Sequence, residues 1–230
     1  MQFKQHNGKT SHLRGNPIWK ITMCLVIGGL YAQSVAAHPH YWISLKADMI
    51  LDEQGRLSKI RQQWAFDVYF SMMTVKDVVN EHGDKQTGLR KIADQIIDNL
   101  SKFHYFSTLT VDGAEVILPQ PSSYQLNENT QLEQPILELE ILFDIASPVI
   151  IQDKNVVWSV FDPTYYIAMN YSTAANVSIQ GDNADQCELQ LDLPDLSREL
   201  MEYAQSLDRS QKDINGLGIK FAEKIRINCS

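Results

Sequence analysis

From Leu137 to Ile145 the chain alternates. Leu137, Leu139, Ile141, Phe143 and Ile145 are apolar, and Glu138, Glu140 and Asp144 stand between them. Successive strand side chains point to opposite faces, so this two-residue period specifies a strand with one buried face and one wet face. Such a strand needs antiparallel neighbours and a core for its apolar side.

The neighbours are legible on both sides. Tyr41, Ile43 and Leu45 share one face of a strand over 41–50, Asp52-Glu53-Gln54-Gly55 supplies a turn, and 56–67 returns with Ile60, Trp64 and Phe66. A helix is expected from Val68 to about Asn80, broken by His82-Gly83-Asp84. A second amphipathic helix follows, with its stripe at Leu89, Ile92, Ile96, Leu100 and Phe103. Residues 107–111 and 114–118 form a hairpin around Asp112-Gly113, and 156–162 with 165–171 read as another pair around Asp162-Pro163-Thr164. Strands at 176–180 and 187–193 precede a helix capped by Asp195 or Ser197 and running to about Leu207. Its core side is Leu196, Leu200, Tyr203 and Leu207. A loop at 210–216 and a short helix around Phe221 lead into the last strand. The expected fold is α+β, mainly antiparallel and sandwich-like, with inserted amphipathic helices, one disulfide and a single domain over 38–230.

The front of the chain is of another kind. Residues 1–20 hold Lys4, Lys9, Arg14 and Lys20 with no acidic residue, and an apolar run follows from Ile21 to about Ala32. At about 12 residues the run is short of the roughly 20 that a spanning helix needs. Val35 and Ala37 are the small residues of a signal-peptidase site, so residues 1–37 read as a cleaved signal peptide, with cleavage after Ala36 as the other choice. A periplasmic, soluble product is expected. Removal takes four positive and no negative charges from a chain of 20 Lys+Arg and 28 Asp+Glu, leaving −12. That balance gives no electrostatic reason to bind nucleic acid. Two cysteines survive cleavage, Cys187 and Cys229, each on the apolar side of an alternating segment. In an oxidising compartment they read as one structural disulfide.

Cleavage would leave His38-Pro39-His40 at the chain end. Pro39 favours extended backbone, and residues two apart in a strand share a face, so the two imidazoles can converge. Pro39 also lacks an amide N–H and spoils the usual amino-terminal copper/nickel motif, so a site would need ligands from elsewhere. Zinc, nickel, cobalt and copper all accept imidazole nitrogen. Partner candidates are Asp67, Asp162 and His104. Each has a second role: Asp67 as a helix N-cap, Asp162 in an Asx turn, and His104 against a helix C-terminus. His82 lies in a polar loop. No nucleophile elbow, zinc-protease helix or phosphate loop occurs, so no enzyme activity is expected.

Together, His38-Pro39-His40-Tyr41-Trp42-Ile43, Gln63-Trp64-Ala65-Phe66-Asp67, Tyr105-Phe106 before Val111-Asp112-Gly113, Phe161-Asp162-Pro163-Thr164-Tyr165-Tyr166, Cys187 and Phe221-Ala222 through Cys229 resemble a family of exported bacterial proteins. It is the domain-of-unknown-function family numbered one thousand and seven, often labelled a periplasmic component of an uncharacterised ABC-type transport system. The resemblance spans nearly all of 38–230. Such proteins are often encoded beside nickel/cobalt-type efflux permeases. The resemblance thus implies a periplasmic protein that handles zinc, nickel or cobalt with an inner-membrane metal transporter. His38, His40, Asp67 and Asp162 fall on its motif positions, and His104 does not. Two other functions remain open: a metal-free, β-rich adaptor that binds protein partners, and a zinc hydrolase with Asp67 or Asp162 as general base.

Overall fold

The computed structural model describes residues 39–207 and 216–230, all within one compact unit, Ala36–Ser230. The expected signal peptide and His38 lie outside the described residues, as does the expected 210–216 loop apart from Gly216.

Eleven strands and four helices are described. The first hairpin joins β1 (Tyr41–Leu51) to β2 (Leu57–Phe66) in antiparallel register, with Leu45 opposite Trp64. Two helices follow, α1 (Val68–His82) and α2 (Lys85–Ser101). Asp67 caps α1 by accepting the Phe70 N–H at 2.8 Å, and Asp84 caps α2 by accepting the Thr87 N–H at 2.8 Å. Gly83 ends α1 with φ of 67°, a left-handed C-cap that a residue with a Cβ adopts at a cost. The strands β3 (Ser107–Val111), β4 (Ala114–Val116), β5 (Ser123–Asn129), β6 (Ile136–Val149) and β7 (Val156–Val160) come next. They are followed by β8 (Ile167–Asn170), β9 (Val177–Gln180), β10 (Cys187–Asp192), α3 (Arg198–Ser206), α4 (Leu217–Phe221) and β11 (Lys224–Cys229).

One sheet runs β5-β6-β2-β1-β8 with β9 also on β1; the other runs β10-β11-β7-β3-β4. The alternating segment that specified a strand is β6. Leu137, Leu139, Ile141 and Phe143 are fully buried, in one core shared with Leu109, Trp158 and Ile225 of the other sheet. The disulfide joins Cys187 to Cys229, which are directly opposite each other in the β10–β11 ladder. Among the described residues no helix is long and apolar enough to cross a membrane.

Four expectations are corrected. The segments flanking Asp162 do not pair with each other: β7 stays in the second sheet, while β8 crosses to the first and runs parallel to β1. The stripe of α2 is rotated, its buried members being Leu89, Ala93, Ile97 and Leu100, and Gly88 packs against Val78 and His82 of α1. Ile92 and Ile96 flank the core, and Phe103 lies beyond the helix at 54% exposure. His104 is not on that helix. With Tyr105 and Phe106 it forms a left-handed turn, φ 52°, 56° and 55°, which costs about 1–2 kcal/mol per residue. Burial of Tyr105 on Phe143 and the bond from the Phe161 N–H to the Phe106 carbonyl hold it. On α3, Ala204 is the buried core residue, and Tyr203 turns outward.

A buried polar chain links the sheets. The Trp64 indole donates to Gln62 Oε1, Gln62 Nε2 donates to Ser107 Oγ, and Ser107 donates to the Tyr105 carbonyl, each at 2.8 Å. With its amide oxygen and nitrogen both engaged, buried Gln62 avoids most of the penalty of an unsatisfied amide.

Candidate functional site

His40, Asp67 and Asp162 lie at one end of the first sheet, where β1 begins, β2 ends and β8 begins. Antiparallel pairing of β1 with β2 brings Asp67 beside Trp42, with the Asp67 N–H donating to the Trp42 carbonyl at 3.2 Å. Parallel pairing of β1 with β8 sets Tyr41 opposite Ile167. The His40 N–H donates to the Tyr166 carbonyl at 2.9 Å, and the two rings lie 4.7 Å apart. Tyr41 contacts Tyr166 at 5.8 Å and Phe70 at 5.9 Å, and Phe70 stacks on Phe66 at 4.7 Å. The half-buried His40 is therefore tied by backbone and ring to a chain of aromatics reaching α1.

The two carboxylates differ in what they have left to offer. Asp67 Oδ1 holds the Phe70 N–H, and its Oδ2 has a long 3.5 Å contact with the Trp42 N–H. Its carbonyl accepts from the amide and hydroxyl of buried Ser71, and the Leu137 N–H donates to that hydroxyl at 2.9 Å, seating α1 on β6. Asp162 is 5% exposed and engaged at both oxygens. Oδ1 accepts the Thr164 N–H at 2.9 Å, Oδ2 accepts the Ile167 N–H at 3.0 Å, and the Thr164 hydroxyl contacts both. These bonds turn the chain from one sheet to the other. The turn is backed by α4: the Gly218 N–H donates to the Pro163 carbonyl at 3.0 Å, and a Cβ on Gly218 would sit 1.8 Å from the Asp162 carbonyl oxygen. Tyr165 stacks on Phe221 at 3.8 Å, and burial raises its phenol pKa above the usual value.

The donor set fits a transition metal only in part. His40 offers imidazole nitrogen, and Asp67 retains lone pairs on Oδ2, since a carboxylate can accept about four bonds. Asp162 would have to release the amides that set its turn. Among the described residues no group of three His, Cys, Asp or Glu side chains is placed to hold a metal, so a site here would need His38. His104 and His82 lie in other segments, in the left-handed turn and at the end of α1.

Features that sequence reasoning missed surround the same end. Trp42, Tyr69 and Met72 are exposed at 54%, 70% and 63%, and Met73 is exposed beside them. The helical placement of 68–80 was legible. The outward aspect of Tyr69 and Met72 was not, because it depends on which face of α1 meets β6.

A protein described as "Uncharacterized protein" from Haemophilus influenzae is 29% identical over 213 residues, covering 90% of this chain and 98% of its own. No solved structure matches the chain. A family model described as "Protein of unknown function (DUF1007)" matches residues 23–229, and the chain belongs to that family.

Proposed function

We propose that this chain is a periplasmic metal-handling accessory protein working with an inner-membrane transporter of zinc, nickel or cobalt. His38 and His40 are the primary ligands, and Asp67 completes the site. The observation that carries the reading is the double tie of His40 to Tyr166, at the sheet end that also holds Asp67. A fixed imidazole loses less freedom on coordination, and Asp67 Oδ2 is the carboxylate oxygen with the lightest commitment. Copper remains within the donor chemistry. Ligation needs neutral imidazole, so acid weakens the affinity.

The test is calorimetric titration of the chain beginning at His38, with zinc, nickel, cobalt and copper in turn. One-to-one binding that is lost in His38→Ala/His40→Ala is expected. Unchanged affinity in the double variant rejects the proposal. The exposed Trp42, Tyr69 and Met72 favour a second reading, a metal-free adaptor for protein partners. Partner capture that survives both histidine substitutions and a chelator supports that reading instead.

A further inference from the structure

We infer that the open edge of β5, with α2 beside it, binds an extended segment of a partner protein that carries an acidic side chain. At seven residues β5 is the longest edge strand described: β8 and β9 have four residues each, β4 has three, and β10 has six and is tied by the disulfide. Every second residue of an edge strand leaves its backbone N–H and C=O without a strand partner. Proteins blunt such edges with proline, lysine or bulges, and Ser123–Asn129 holds no proline or lysine and pairs with β6 in unbroken register.

The helix makes a groove of this edge. Tyr124, Leu126 and Glu128 share the face toward α2, and two bonds cross between the elements. Tyr124 OH donates to Asp94 at 2.9 Å, and Lys85 pairs with Glu128. From residue 85 to 94 a helix rises about 13 Å, and from 124 to 128 a strand rises about 14 Å, so the two run side by side. Between them lies a groove of about 620 Å³, floored by buried Leu89, Ala93 and Leu126. Its length takes about four residues of extended chain.

Charge selects the occupant. Glu128 is paired with Lys85, while Asp94 accepts from the neutral Tyr124 hydroxyl through Oδ1 and keeps its charge. Arg90 lines the groove between Lys85 and Asp94, is exposed, and takes part in none of the ion pairs among the described residues. An added strand would supply backbone bonds for affinity and an acidic side chain opposite Arg90 for selection, the usual division of labour in strand addition.

The experiment pans a phage-displayed library of random eight-residue peptides on the chain beginning at His38, then titrates the best synthetic peptide. Winners rich in Asp or Glu are expected, with hydrogen-exchange protection over 123–129 and at least tenfold weaker binding to Arg90→Glu. Methylating alternate peptide nitrogens should weaken binding at least tenfold in one phase and little in the other, which contact through side chains alone would not do. The inference is overturned by an absence of binders at micromolar concentration, or by affinity indifferent to both changes. Dimerisation through β5, seen by sedimentation as a concentration-dependent species abolished by Gln125→Lys, overturns it in favour of a second copy. Zinc titration of Arg90→Glu is expected to match the parent, so failure here leaves the metal proposal standing.

Discussion

Replacing Asp162 with alanine separates a turn-holding carboxylate from a metal ligand. The change strands two backbone donors, the Thr164 and Ile167 N–H groups, in a loop whose anchor is 5% exposed. An unsatisfied buried donor costs about 1–3 kcal/mol, and the Thr164 hydroxyl can turn to water, so the loss is about 4 kcal/mol. Asp162→Asn keeps the acceptor for Thr164 but sets an amide NH2 against the Ile167 N–H, at about 2 kcal/mol. Equilibrium urea unfolding followed by the fluorescence of buried Trp64 and Trp158 reads both. With a slope of about 2 kcal/mol per molar, the midpoint falls by about 2 M for alanine and about 1 M for asparagine. Zinc affinity of the folded Asp162→Asn protein is expected to equal that of the parent. A midpoint within about 0.3 M of the parent, or lost zinc binding at unchanged stability, would falsify the turn-holding role.

Three further outcomes are expected. Cys187→Ser/Cys229→Ser opens a loop of 42 residues and costs about 4 kcal/mol on the chain-entropy model, seen as a lower urea midpoint that reducing agent no longer changes. Gly218→Ala forces α4 away from the Asp162 carbonyl, lowers the thermal midpoint and speeds exchange of its own amide and that of Ile167; unchanged exchange refutes the close approach. The Thr87 hydroxyl and amide hold the Asp84 carboxyl below its usual pKa. A depressed folded value means that the contribution is complete above about pH 3.9 and is lost as pH falls through the lowered value. Acid unfolding of Asp84→Asn should therefore be less steep below pH 4, and an identical acid limb counts against the cap.

The core strands were legible because alternation is a local property. Leu137 to Phe143 and Ile43 to Met49 each state their buried face. The strand β5 was missed because Ser-Tyr-Gln-Leu-Asn-Glu-Asn buries only Leu126, and an edge strand half covered by a helix keeps little period. The pairing around Asp162 was misread for a different reason. An Asx turn looks the same whether the chain returns to its own sheet or leaves for another, and only Tyr41 opposite Ile167 decides. At the candidate site, the capping role of Asp67 and the turn role of Asp162 were both open in the sequence. The tie of His40 to Tyr166 was not, since it spans residues far apart in the chain.

That same pairing sets an order of events during folding. The partners of β1 on one side are Leu57–Phe66, next to it in the chain; on the other they are Ile167–Asn170 and Val177–Gln180. Closing so long a loop is entropically slow, and parallel contacts of this separation raise the contact order. A chain emerging from the ribosome can make the first hairpin early, but His40 has no seat until residue 166 has been synthesised and delivered. The end of the sheet that carries His40 is therefore assembled only after nearly three quarters of the chain is in hand, so no short N-terminal fragment can hold His40 as the complete sheet does.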